Sequence, residues 1–157
     1  MGSGKTKVSK ALEAKLGIKR FSTDEIIEQC EGMAIGLIFK QNGEDYFRHI
    51  EAQVVRDLAL QENIIVDCGG GVVLNLENIL QLKQKGKVFF LNASAETIYS
   101  RVKDDTRRPL LQVPNPLGAI VELMNKRLPL YQEAADVIID TNNPSLDSAV
   151  VEILKEM

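Results

Sequence analysis

The chain has one histidine, His49, and so no histidine-rich metal site. It has two cysteines, Cys30 and Cys68, far apart and without metal-ligand spacing. Free thiols in a reducing cytoplasm are the simplest account, and the chain is read as cytoplasmic. No apolar run approaches the length of a membrane span. The N-terminus lacks the apolar core of a signal peptide. There is no excess of positive charge: the net charge is −3. Nothing in the composition therefore points to a nucleic-acid or membrane surface. No internal repeat, low-complexity segment or linker divides the sequence. At 157 residues it is one domain, large enough to bury a real core.

Met1-Gly2-Ser3-Gly4-Lys5-Thr6 reads as the back half of a phosphate-binding P-loop, G-x-x-x-x-G-K-S/T. Glycines let backbone N–H groups converge on a phosphate. The helix that follows adds its positive dipole end. In this role Lys5 reaches the β- and γ-phosphates and the Thr6 hydroxyl goes to Mg²⁺. A flexible tag-like start is the bland alternative, and the helical pattern after Thr6 argues against it. A P-loop normally follows a buried strand. About ten residues, with that strand and the first loop glycine, are therefore expected upstream of Met1.

Val8, Leu12 and Leu16 recur every four residues, as in an amphipathic helix over 6–16 that Gly17 ends. A short strand over 18–21 and a helix over 25–30 follow, with Ser22 or Thr23 as cap. A helix over 33–40 closes at Asn42-Gly43, and a longer one runs over 43–60. Asn63 to Cys68 is a buried strand leading into Gly69-Gly70-Gly71. Further helices are expected over 76–85, 95–102, 119–134 and 146–157, and strands over 88–91 and 137–140. Residues 103–118 are polar and rich in Arg and Pro, and read as a mobile loop. Strands alternating with helices mean a parallel sheet covered on both faces, a three-layer α/β/α fold.

The candidate sites sit where open α/β sheets bind ligands, after strands or at helix starts. Asp24 follows the first strand, where a carboxylate can orient a hydroxyl and take its proton. It is equally a helix-start Asp favoured by the dipole. Arg48 lies one turn from both Glu44 and Glu51, which can aim its fork at a substrate carboxylate. A solvated salt bridge is the plainer reading. His49 points elsewhere on that helix. Gly69-Gly70-Gly71 lets backbone approach a ligand closely, or simply makes a tight turn. Arg107-Arg108-Pro109-Leu110-Leu111 places arginines on the mobile loop, where they can close over phosphates. Arg127, in Lys126-Arg127-Leu128-Pro129-Leu130-Tyr131, is a second carboxylate clamp.

In this order and at these spacings, the P-loop, Asp24, GExxFRxxE, GGG, RRPLL and KRxPLY resemble the shikimate kinases over nearly the whole chain. The resemblance implies a nucleoside-monophosphate-kinase-like fold with a five-stranded parallel sheet, the first strand missing from this chain. It implies ATP-dependent, Mg²⁺-requiring phosphorylation of the shikimate 3-hydroxyl by a monomer. Carried over by motif, Asp24 binds the acceptor hydroxyls and acts as base. Lys5 and Arg108 are catalytic beside it. Arg48 and Arg127 hold the shikimate carboxylate, and Gly70 and Gly71 contact substrate through their backbone. Gly2, Ser3, Gly4, Lys5, Thr6, Arg101 and Arg108 take the nucleotide, with Arg101 by the adenine. The substrate-binding helical part spans about 23–61, and the lid about 103–118. The family usually has Asp-x-Asp after its second strand, and the first of these helps hold the magnesium waters. Here that position is Ser22, while Asp67 stands where the family has a small or hydroxyl residue. Asp67 is therefore expected to take over the magnesium-side role, with a strand-end hydrogen bond to the glycine turn as the alternative. Another small carboxylate-bearing polyol as acceptor, or a silent ATP- or metabolite-binding module, are the competing functions.

Overall fold

The structure, a computed structural model, describes residues 2–104, 113–142 and 146–157. The elements run α1 (Lys5–Leu16), β1 (Arg20–Ser22), α2 (Thr23–Glu31), α3 (Ile35–Ala59) and β2 (Ile65–Asp67). Then come α4 (Leu76–Lys83), β3 (Phe89–Asn92), α5 (Ala95–Val102), α6 (Pro116–Ala134), β4 (Val137–Asp140) and α7 (Leu146–Glu156). The chain divides into two compact units: Met1–Val8 with Phe89–Met157, and Ser9–Val88. None of the described helices is long and apolar enough to cross a membrane.

In the unit 9–88, β1 pairs parallel with β2, with Arg20 opposite Ile65 and Ser22 opposite Asp67. Gly17, at φ 68°, takes the chain out of α1, and its N–H donates to the Glu13 carbonyl at 2.9 Å. Ser22 is both the last residue of β1 and the cap of α2. Its hydroxyl accepts from the Glu25 N–H at 3.3 Å. The break expected at Asn42-Gly43 is present as a kink inside α3, with Gly43 at φ 85°, ψ 174°. Around that kink Ile27, Ile38, Phe47, Ile50, Val54 and Leu58 form the core. Each such side chain stabilises the fold by about 1.5–3 kcal/mol relative to exposure. After β2 the glycine run leads into a 3-10 turn over Val72–Leu74 that periodicity did not reveal. It is closed by the Leu74 N–H donating to the Gly71 carbonyl at 2.9 Å.

In the other unit β3 pairs parallel with β4, Phe89 opposite Val137 through Asn92 opposite Asp140. Ala93, Ala95, Ile98, Val102 and Ile120 make its core. α6 begins three residues before the expected start at 119. Asn115 caps it by accepting from the Gly118 N–H at 3.0 Å, and Pro116 fits the first turn. Residues 116–118 of the expected lid are thus helical. Residues 105–112, with Arg107 and Arg108, lie outside the described residues.

Parallel pairs joined by helical crossovers are the α/β arrangement that the alternation of elements implied. Among the described residues the strands stand as two separate pairs, β1–β2 and β3–β4.

Candidate active site

The expected phosphate loop belongs to the unit with β3 and β4. Gly2 and Gly4 have φ of 68° and 95°, a region that side chains disfavour. Gly2 also lacks room for a side chain. A Cβ there meets Ile98 Cγ2 at 2.9 Å and Val102 Cγ1 at 3.0 Å. The loop carbonyls are held from outside. The Arg101 guanidinium donates to the Gly2 carbonyl at 3.4 Å and to the Thr141 carbonyl. The Thr141 hydroxyl lies 3.1 Å from the Ser3 carbonyl. α1 starts at Lys5, with no acidic residue in its first turn to neutralise the dipole. Lys5 is half-buried and Thr6 exposed.

Of the residues expected to bind the acceptor, Asp24, Arg48, Gly70 and Gly71 belong to the unit 9–88. Thr23, fully buried, follows β1, and its hydroxyl accepts from the Gly69 N–H at 2.8 Å. This bond ties the start of α2 to the glycine turn. Asp24 is half-buried beside that turn. A Cβ on Gly69 collides with the Asp24 carboxylate and comes within 3.3 Å of Glu51 Oε1. A Cβ on Gly71 lands in the Arg48 guanidinium, 2.7 Å from its Cζ. The glycines therefore make space for the side chains expected to bind the acceptor.

Arg48 is aimed as its spacing implied. NH1 donates to Glu51 Oε2 at 2.7 Å, and NH2 and Nε donate to Glu44 Oε1 at 2.9 and 3.1 Å. The guanidinium also lies 5.1 Å from the centroid of the Phe47 ring. Burial alone lowers the Arg48 pKa, but the bonds and charges of Glu51 and Glu44 outweigh it and raise it above the usual value. The spacing did not reveal how deep Glu51 lies: its side chain is 1% exposed, whereas Glu44 is 57% exposed. His49 stays exposed beside Gln53, as its place on the helix implied.

Asp67 ends β2 as a buried ion-pair partner. Its Oδ2 accepts from Arg20 NH2 at 2.8 Å and from the Ser9 hydroxyl at 3.1 Å. Ser9 accepts in turn from Arg20 Nε at 2.9 Å. Arg20 escaped the sequence reading. The signal for it was parity: Arg20 shares a face with Ser22, which is opposite Asp67. Cys68 and Gly70, one and three residues after Asp67, are half-buried. Arg127 is half-buried on α6, in the unit with the phosphate loop, and Arg108 is outside the described residues. Among the described residues no three His, Cys, Asp or Glu side chains cluster to hold a metal. A magnesium ion arriving with phosphate oxygens needs no such cage, and Thr6, an exposed residue, carries a hydroxyl, a hard oxygen ligand of the kind it takes.

A parallel α/β fold whose glycine loop opens directly into a helix defines the class of phosphate-binding α/β proteins to which nucleotide-dependent kinases belong. The family profile described as shikimate kinase matches residues 1–157. A shikimate kinase of Thermodesulfovibrio yellowstonii is 44% identical over 156 residues, covering 99% of this chain and 90% of the relative. One from Dehalococcoides mccartyi is 41% identical over 153 residues, covering 98% and 86%. Among solved structures, the Acinetobacter baumannii shikimate kinase in complex with shikimate superposes with a TM-score of 0.92 at 36% identity, covering 99% of this chain and 87% of that one. The Aquifex aeolicus enzyme gives 0.84 at 35% identity, covering 99% and 90%. The chain belongs to the shikimate kinase family.

Proposed function

We propose that this chain transfers the γ-phosphate of ATP to the 3-hydroxyl of shikimate, and that its residues divide the work as follows. Gly2, Ser3, Gly4 and Lys5 hold the triphosphate through inward N–H groups, the helix dipole and the lysine charge. Thr6 contributes a magnesium ligand, and the ion neutralises phosphate charge as it develops. Arg48, with Arg127 as second clamp, binds the acceptor carboxylate. Its fork is already set by Glu44 and Glu51, so little rotamer freedom remains to be lost on binding. Asp24 orients the 3-hydroxyl and takes its proton. Gly70 and Gly71 contact the acceptor through their backbone. Arg108, on a lid over about 103–118, reaches the transferring phosphate, and closure excludes water from it. Arg101 lies by the adenine. The helical part over 23–61 is the acceptor-binding part of a single domain.

The observation that carries this reading is the Glu51–Arg48–Gly71 stack with Asp24 against Gly69. It makes an anion-binding fork next to a carboxylate base, which suits a hydroxy acid. The reading includes a cytoplasmic monomer that binds neither nucleic acid nor membrane. It also gives Asp67 a share of the magnesium side, through a carboxylate that Arg20 already partly neutralises.

The test is ADP release with Mg·ATP and either shikimate or its methyl ester, which lacks the carboxylate charge. Turnover with shikimate and its loss with the ester is the expected result. Equal rates with both, or none above background ATP hydrolysis with shikimate, refutes the assignment.

A further inference from the structure

We propose that Thr141 is a positioning residue for the phosphate loop, setting the affinity for the triphosphate without touching it. This rests on the reading of residues 2–6 as that loop. A loop that turns its N–H groups toward phosphate must turn carbonyls away, and those carbonyls need donors elsewhere. Thr141 directly follows β4 and is 4% exposed. Its hydroxyl oxygen lies 2.8 Å from the Asn92 carbonyl and 3.1 Å from the Ser3 carbonyl. A hydroxyl carries one proton and donates to one acceptor at a time. The Thr141 N–H already donates to the Asn92 carbonyl at 2.7 Å. The hydroxyl proton can therefore go to Ser3 without leaving Asn92 unsatisfied.

Arg101 closes the ring from the other side. One guanidinium arm donates to the Thr141 carbonyl and another to the Gly2 carbonyl, at 3.4 Å for the latter. Ile98 and Val102, on the same helix, leave no room for a Cβ at Gly2. Two consecutive loop carbonyls are thus anchored by one strand end and one helix end. With these anchors the loop conformation is set before the nucleotide arrives, which lowers the ordering cost of binding. Thr141 has no place among the motifs read from the sequence. Its role is distinct from contact with the adenine, and the two are separable by probe.

The experiment measures binding of Mg·ATP, magnesium tripolyphosphate and shikimate to the wild type, Thr141→Val and Thr141→Ser by calorimetry. Valine keeps the shape and removes the donor. The expected result is about tenfold weaker binding of both ATP and tripolyphosphate to Thr141→Val, the worth of one hydrogen bond. Shikimate affinity stays within about twofold, and Thr141→Ser recovers most of the loss, because the donor is back. Unchanged tripolyphosphate affinity in Thr141→Val overturns the proposal, whether or not ATP weakens. If Thr141→Val does not fold, Arg101→Met is read with the same two probes. Loss on tripolyphosphate then supports the brace, and loss on ATP alone overturns it. A wild type that binds neither probe refutes the phosphate-loop reading itself, a result distinct from any of these.

Discussion

Replacing Asp67 with asparagine removes one charge from a buried pair and little else. Arg20 and Asp67 side chains are 6% and 5% exposed, and Arg20 NH2 lies 2.8 Å from Asp67 Oδ2. Breaking such a pair from one side costs about 3–5 kcal/mol, because the remaining charge stays buried. Two features of this site reduce that. Asparagine can still accept from Arg20 or Ser9. Glu25 remains as a second anion, 3.2 Å from the guanidinium, though at 55% exposure it is well screened. The expected loss is therefore about 2–3 kcal/mol, which for a chain of this length lowers the melting temperature by about 4–12 °C. Urea unfolding of wild type, Asp67→Asn, Arg20→Met and the double variant provides the measurement. The double variant, having no unpaired buried charge, should fall short of the summed single losses by at least about 1 kcal/mol. A single-variant loss under about 0.5 kcal/mol, or strict additivity, refutes the argument that this pair is a coupled buried unit. The same variant tests the magnesium-side role: the Mg²⁺ concentration for half-maximal rate should rise while the KM for shikimate holds. An unchanged magnesium requirement removes Asp67 from that role and leaves it as the structural partner of Arg20 and Ser9.

Gly71→Ala puts a methyl group into the Arg48 guanidinium, so the KM for shikimate should rise about tenfold or more, with the KM for ATP unaffected. Steady-state kinetics with each substrate varied checks this, and an unchanged shikimate KM shows that the glycine is only a turn residue. Gly69→Ala pushes on Asp24 instead, so kcat should fall by more than the shikimate KM changes, as expected if Asp24 acts on the reacting hydroxyl. Glu51→Gln removes the buried anion that aims Arg48 and should raise the shikimate KM about tenfold, while Glu44→Gln, at the exposed partner, should change it about twofold or less. The pH dependence follows from the raised Arg48 pKa. A cation with a raised folded pKa contributes fully below its unfolded value and loses that contribution only as pH rises through the folded one. Both values exceed the assay range, so Arg48 should contribute no slope to the shikimate KM between about pH 6 and 10. A titration in that window that disappears in Arg48→Met contradicts the pairing described.

Local chemistry carried much of this protein into view from the sequence. The P-loop residues, the Gly17 and Ser22 helix ends, the break at Gly43 and the aiming of Arg48 by Glu44 and Glu51 all depend on neighbours within about four residues. The alternation of strand and helix, and with it the parallel α/β class, is encoded the same way. The ordered motif set carried the family. Tertiary structure decided what depends on register and packing. It buried Glu51 but left Glu44 in solvent, though both lie within one turn of Arg48. It gave Gly69 to Asp24 and Gly71 to Arg48, a distinction invisible in three identical letters. It joined Arg20 to Asp67 across 47 residues and Thr141 to Ser3 across 138. Spacing along the chain cannot encode such pairs, because they arise only when strands settle into register and helices close over them.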